Sequence, residues 1–137
     1  MHFSSLLFKR FLFSTYLVAL SFVLGSPADA EMTVKIQSCY DGDTCTSTKG
    51  EKIRLACIDA PELKGKRADP VPARQARDYL NDLVSGKQVA IRRITKDRYG
   101  RTVAELLKDG VNIQERLVDK GFASVYKRYS HQCSWSR

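Results

Sequence analysis

Apolar positions change period several times along residues 33–126, and each change marks an element. Residues 33–40 alternate weakly and read as a strand, Asp41-Gly42-Asp43 has turn chemistry, and a Thr-rich strand over 44–48 follows. Lys49-Gly50 reads as a two-residue turn into a third strand over 52–58, with Ile53, Leu55 and Cys57 on one face. These three segments predict an antiparallel meander. Residues 63–71 have no periodicity, carry Lys64, Lys66 and Arg67, and read as a cationic loop. From Pro72 the apolar positions Ala73, Ala76, Tyr79, Leu80, Leu83 and Val84 follow helical spacing, with Pro72 in the first turn and Gly86 as the stop. Strands over 88–94 and 102–107 flank a charged loop over 95–100, and Asp109-Gly110 closes the second. Asn112, with Glu115 three residues on, predicts a capped second helix that Gly121 ends, and 123–126 is a short last strand. Five main short strands with a helix across one end predict an α+β fold, a small closed five-stranded β-barrel of the OB type.

The first thirty residues stand apart from this pattern. Lys9 and Arg10 precede an apolar run over 11–25, and Ala28-Asp29-Ala30 supplies small residues for a cut. The run is short for a membrane span, and no cysteine lies near the cut to take a lipid. Residues 1–30 therefore read as a signal peptide and 31–137 as one domain that is secreted or periplasmic, without a stable membrane anchor. Removing Lys9, Arg10 and Asp29 takes the 23 Lys and Arg to 21 and the 15 Asp and Glu to 14, a surplus of +7. Such a charge on one small domain favours a polyanionic partner, nucleic acid before wall polymer or anionic lipid. Nothing in the sequence points to an oligomer, so a monomer is expected.

Cys39, Cys45, Cys57 and Cys133 contain no C-x-x-C pair, and His131 with Cys133 is too sparse for zinc. In an exported chain the default is two disulfides with three possible connectivities. Cys39 and Cys45 flank a tight turn and favour one bridge, which leaves Cys57 and Cys133; the competing account makes Cys57 a small buried apolar residue.

Three groups of residues carry candidate chemistry. Asp41-Gly42-Asp43-Thr44 places two carboxylates at a sharp bend, where they can aim at one hard cation, although Asp-Gly alone is also the commonest hairpin signal. An EF-hand loop is excluded, because its fifth, sixth and twelfth positions would be Cys45, Thr46 and Lys52. Counting back through a two-residue turn puts Asp43 and Arg54 on one face of the hairpin. Asp59, Pro61 and Glu62 come where that strand runs out, which is either a solvated strand exit or half of a phosphoryl-transfer site. The third group, Asp97-Arg98-Tyr99-Gly100-Arg101, needs no function as a hairpin loop.

Together these groups resemble the staphylococcal nuclease (thermonuclease) family, whose motifs occur here in order as Asp41-Gly42-Asp43-Thr44, Arg54-Leu55 with Ile58-Asp59-Ala60-Pro61-Glu62, and Asp97-Arg98-Tyr99-Gly100-Arg101. Residues 117–123, Leu-Val-Asp-Lys-Gly-Phe-Ala, look like the family's second helix and following strand, and the likeness spans roughly 33–129. The resemblance implies Ca2+ held by Asp43, Asp59 and the backbone carbonyl of Ala60, where the family's best-known member has Thr. It implies Glu62 as general base, Arg54 and Arg101 on the scissile phosphate, Asp41 as a support behind the ligands, and Arg98, Tyr126 and Tyr129 against the substrate. The family cleaves the 5′ P–O bond of DNA and RNA and leaves 3′-phosphate ends. Ordinary core packing is the competing account of Tyr126, and Lys127 stands where the family has one of its tyrosines.

The implied roles suit the chemistry. Hydrolysis of a phosphodiester builds negative charge on the equatorial oxygens, which guanidinium forks and a hard cation neutralise. Few carboxylates around one calcium imply weak, about millimolar affinity. Tyr129 is followed by only Ser-His-Gln-Cys-Ser-Trp-Ser-Arg, so the family's third helix is missing and one side of the barrel is expected to lose its cover unless a Cys57–Cys133 bridge pins the tail. The rival function is a catalytically weak or inactive OB-fold module that only binds nucleic acid. Such a module has no need to keep Asp43, Asp59, Glu62, Arg54 and Arg101 together.

Overall fold

The computed structural model describes residues 32–137, so the expected leader lies outside the described residues. Strand β1 (Thr33–Cys39) buries Val34, Ile36 and Cys39, a spacing that breaks strict alternation because a bulge falls between Ile36 and Ser38. It pairs antiparallel with β2 (Thr44–Ser47), which pairs with β3 (Lys52–Leu55). Ser47 accepts from Gly50 N and donates its own N–H to Glu51 O, so Thr48, Lys49 and Gly50 form a three-residue loop with Gly50 at φ 84°. That corrects the two-residue turn expected here.

The third strand is also shorter than its apolar run suggests. It stops at Leu55, the chain kinks at Cys57 with φ 66°, and only Ile58–Asp59 resumes as β4. Cys57 consequently leaves the face of Ile53 and Leu55 and packs with Ala56, Cys133, Ile94, Val103 and Trp135 in a satellite cluster.

Residues 63–69 close on themselves: Ala68 N bonds Gly65 O, Asp69 N bonds Glu62 O, and Glu62 bridges Ala68. Helix α1 (Pro70–Val84) starts two residues earlier than expected, with Pro70 and Pro72 both inside its first turn, where N–H groups have no helical partner. Its buried stripe is Ala73, Ala76, Leu80 and Val84. β5 (Gln88–Lys96) and β6 (Thr102–Lys108) form a long hairpin, and β6 returns through Asp109 (φ 51°) and Gly110 to β7 (Val111–Asn112).

Asn112 caps α2 (Ile113–Asp119) by accepting from Glu115 N at 3.1 Å, and Phe122 N closes the other end on Leu117 O past Gly121. The fully buried Gln114 fastens this helix to the barrel, accepting from Leu106 N and donating to Ala104 O. β8 (Ser124–Val125) then pairs with β4.

The main sheet runs β3-β2-β1-β5-β6-β7, and a parallel β3–β6 pairing joins its first strand to its fifth. Five strands thus close a barrel around Ile36, Ile53, Leu55, Ile58 and Leu106, with Leu80 of α1 and Leu117 of α2 over the core.

Both disulfides form, Cys39–Cys45 and Cys57–Cys133. Among the described residues no α-helix follows α2; Lys127–Gln132 and Ser134–Ser136 coil into two 3-10 helices instead. The tail still covers the barrel, because Trp135 packs against both clusters and donates to the buried Glu105 at 2.8 Å.

Candidate active site

The Asp41-Gly42-Asp43 bend is held by Asp41 Oδ1, which accepts from Asp43 N at 3.0 Å. A Cβ on Gly42 would stand 2.7 Å from the Cβ atoms of both Ala60 and Ala76, so the bend lies pressed between the end of β4 and the wall of α1. That contact puts the Asp43 side chain, 8 % exposed, against the chain after β4. Its Oδ2 accepts from Ala60 N at 2.9 Å and its Oδ1 from Thr44 Oγ1 at 3.1 Å.

Arg54 joins the two halves of the site. A two-residue turn would have set Arg54 opposite Cys45, on the face of Asp43; the loop is one residue longer, so Arg54 pairs with Thr44 and Asp43 O accepts from Leu55 N. The shared face fails as a reason, yet the contact forms, since Asp43 precedes β2 and its side chain turns back toward the guanidinium. Arg54 Nη1 donates to Leu55 O at 2.6 Å and Nη2 to Ile58 O at 2.9 Å. Nη2 also stands 3.2 Å from Asp43 Oδ2 and 3.8 Å from Asp59 Oδ1. The Arg54 side chain is 15 % exposed and that of Asp59 40 %, so the guanidinium is fixed and the second carboxylate is accessible.

This pair faces two hollows, Arg54 lining one and Asp59 the other. The larger, about 490 Å³, is lined by Arg54, Arg98, Tyr99, Arg101, Tyr126 and Tyr129, with Arg128 and Gln132 from the tail. The smaller, about 270 Å³, holds Asp59, Ala60, Glu62 and Arg67 against Phe122 and Ser124. The structure thus divides the expected residues: both phosphate arginines and all three expected substrate contacts lie in one hollow, Glu62 and Asp59 in the other, and Asp43 behind Arg54. Tyr126 and Tyr129 are 38 % and 39 % exposed and meet edge to face at 5.2 Å, so core packing does not explain Tyr126.

Asp97 organises the hairpin loop and had no assigned role. It accepts from Tyr99 N, Arg101 N and Arg101 Nε, the last at 2.7 Å. Burial works to raise its carboxyl, but those donors prevail and hold it below its ordinary value. Its signal was the Asp-x-x-Gly pattern of an Asx-type turn. Arg128 was also passed over, one basic residue in a basic tail.

Burial pushes the Asp43 carboxyl up to about 7; Arg54 opposes this, and the neighbouring Asp41 adds to it. By count, the three carboxylates of Asp41, Asp43 and Asp59 stand around the one guanidinium of Arg54. Among the described residues every buried side-chain nitrogen and oxygen has a hydrogen-bond partner, and no three His, Cys, Asp or Glu side chains converge as a cage. Two hard-oxygen carboxylates with a negative excess fit a loosely held divalent cation completed by carbonyl and water oxygens, and do not fit zinc.

The family model for staphylococcal nuclease homologues matches residues 52–136. A Haemophilus influenzae protein named "uncharacterized endonuclease" is 37 % identical over 127 residues, covering 90 % of this chain and 68 % of that one. An Escherichia coli protein of the same name is 35 % identical over 105 residues, 74 % of this chain and 65 % of its own length. The probable staphylococcal-like nuclease CAN1 of Oryza sativa subsp. japonica is 38 % identical over 84 residues, 61 % of this chain but 24 % of its own. With the closed barrel and the arginine–carboxylate junction already in place, these matches establish that the chain belongs to the staphylococcal nuclease family and is a hydrolase of the nuclease class.

Proposed function

We propose that the protein is an exported, calcium-dependent endonuclease that hydrolyses phosphodiester bonds of DNA and RNA with little sequence selectivity. The observation that carries this reading is the locked Arg54, held by two carbonyls within reach of Asp43 and Asp59, with Arg54 lining one hollow and Asp59 the other. A scissile phosphate at that junction receives the guanidinium of Arg54 from one side and that of Arg101 from the cleft wall. Glu62, in the opposite hollow, orients and deprotonates the attacking water. Asp43, Asp59 and the Ala60 carbonyl would hold calcium, which when bound supplies Lewis-acid charge at the phosphate oxygens. Asp41 keeps Asp43 in place through the bend. Tyr126 and Tyr129 offer faces on which any base stacks, which supports low selectivity.

Export is supported by the 1–30 signal pattern and by two disulfides, which persist in oxidising compartments. Among the described residues no helix is long and apolar enough to cross a membrane. The protein acts as a monomer in this reading.

The test is digestion of supercoiled plasmid, single-stranded DNA and RNA by the purified protein, with calcium or with chelator, beside Glu62→Gln. Cleavage that needs calcium, and falls at least about a hundredfold in the variant, is expected. Full activity in chelator or in Glu62→Gln overturns the mechanism, and binding without cutting selects the alternative of a catalytically inactive nucleic-acid-binding module.

A further inference from the structure

Four arginines line the larger cleft, and they differ in what they are already bonded to. Arg54 is committed to Asp43 and Asp59, and Arg101 to Asp97. Arg98 donates to the neutral hydroxyl of Tyr99 and lies 4.8 Å over its ring. Arg128 has no carboxylate partner among the described residues and lies 5.6 Å over the ring of Tyr129. The cleft therefore has two uncommitted guanidinium groups, each beside an exposed tyrosine, one from the β5–β6 loop and one from the tail.

The tail mount is built for position. Residues 126–133 form an arch whose ends are fastened to the same residue: Tyr126 N donates to Cys57 O at 2.8 Å, and Cys133 is bridged to Cys57. Cys57 lies between Arg54 and Asp59 in the chain, so the arch is anchored to the segment that carries the junction. Arg92 adds a third tie, donating to Gln132 O at 2.9 Å. An exposed arginine on a fixed arch, stacked on a tyrosine and spared an acidic partner, is preorganised for an anion with a flat neighbour.

We propose that Arg128 is a substrate-binding residue that takes a phosphate of an unpaired nucleic-acid strand lying in the cleft, while Tyr129 beside it stacks on that strand's base. The proposal rests on the nuclease reading and adds a contact outside the junction where cleavage occurs. An unpaired strand suits the cleft better than a duplex, because stacking on tyrosine requires an exposed base face.

Binding of a fluorescent single-stranded DNA twelve-mer to the full chain is measured by anisotropy in chelator over a range of salt. Calcium-dependent cleavage kinetics are followed alongside. Arg128→Ala is expected to weaken binding about tenfold and to lower the slope of log affinity against log salt by about 0.7, the share of one phosphate contact on a single strand. KM rises by a similar factor, with kcat within about twofold. Arg128→Lys keeps the slope but binds less tightly than wild type, since the charge remains and the planar fork is lost. Arg116→Ala, exposed on α2 outside the cleft, leaves both readouts unchanged. Unchanged affinity and slope in Arg128→Ala, with the wild type cutting normally, overturns this role and leaves the nuclease reading intact. A wild type that neither binds nor cuts overturns both.

Discussion

Gly42 shows how one missing methyl positions chemistry. The bend carrying Asp41 and Asp43 meets Ala60 and Ala76, and even the smallest side chain at position 42 would enter both at 2.7 Å. Gly42→Ala must separate the bend from α1 or from the end of β4, and either movement lengthens the bond from Ala60 N to Asp43 Oδ2. The expected cost is about 1–3 kcal/mol in denaturant unfolding, the usual range for overpacking. Activity should fall more than stability explains, with a higher calcium requirement. A variant as stable and as active as the wild type would remove the close approach from the account. The Asp-Gly-Asp motif was legible in the sequence; the reason for its glycine was not, because that depends on two alanines 18 and 34 positions away. The same holds for Arg54. The turn count that puts it on one face with Asp43 is invalidated by the three-residue loop, and the contact exists because of where Asp43 lies relative to β2.

Elements with local signals were read well, and those set by tertiary contact were not. Asn112 with Glu115, Asp109-Gly110 and Gly121 each fix their own backbone through a cap or a turn, so α2 and its flanks followed from sequence. The bulge in β1, the kink at Cys57 and the coiled tail depend on distant partners. The kink answers to a disulfide 76 positions away and to Tyr126 N on Cys57 O, which no periodicity encodes. Barrel closure depends on a polar clasp of the same kind. Glu51, at the end of the β2–β3 loop, receives two bonds from Arg93 of β5 and one from Thr102 of β6. Chiefly through the Arg93 hydrogen bond, its carboxyl falls from 4.5 to about 2. A carboxyl depressed in the folded state contributes fully above its unfolded value of 4.5, and that contribution is lost as pH falls through about 2. Glu51→Gln is therefore expected to be less stable than wild type by a constant margin from neutral pH down to about 4.5. The margin then closes toward pH 2. Urea unfolding of both proteins at pH 7, 4, 3 and 2 checks it, and a margin that persists at pH 2 would assign the clasp to shape rather than charge.

At the scale of the whole molecule the two disulfides divide the site between them. Cys39–Cys45 encloses the Asp41-Gly42-Asp43 bend within six positions, whereas Cys57–Cys133 spans 76 and ties the tail arch to the segment between Arg54 and Asp59. Loop-closure entropy ranks them: the long bridge is worth about 4 kcal/mol and the short one about 2. Their functional effects should separate more cleanly than their stabilities. Without the short bridge, the bend loses a constraint next to Asp43, so the calcium concentration for half-maximal cleavage rises while KM for DNA at saturating calcium holds. Without the long bridge, Tyr129, Arg128 and Gln132 lose one of their anchors on Cys57, so KM rises while the calcium requirement holds. The paired variants Cys39→Ser with Cys45→Ser, and Cys57→Ser with Cys133→Ser, test this by calcium and substrate titration at a temperature where circular dichroism shows both folded. Equal changes in both titrations would mean that the bridges act through stability alone. A barrel with this coiled tail would then need its staples only to fold, and the cleft wall would hold its place by Trp135 and Glu105.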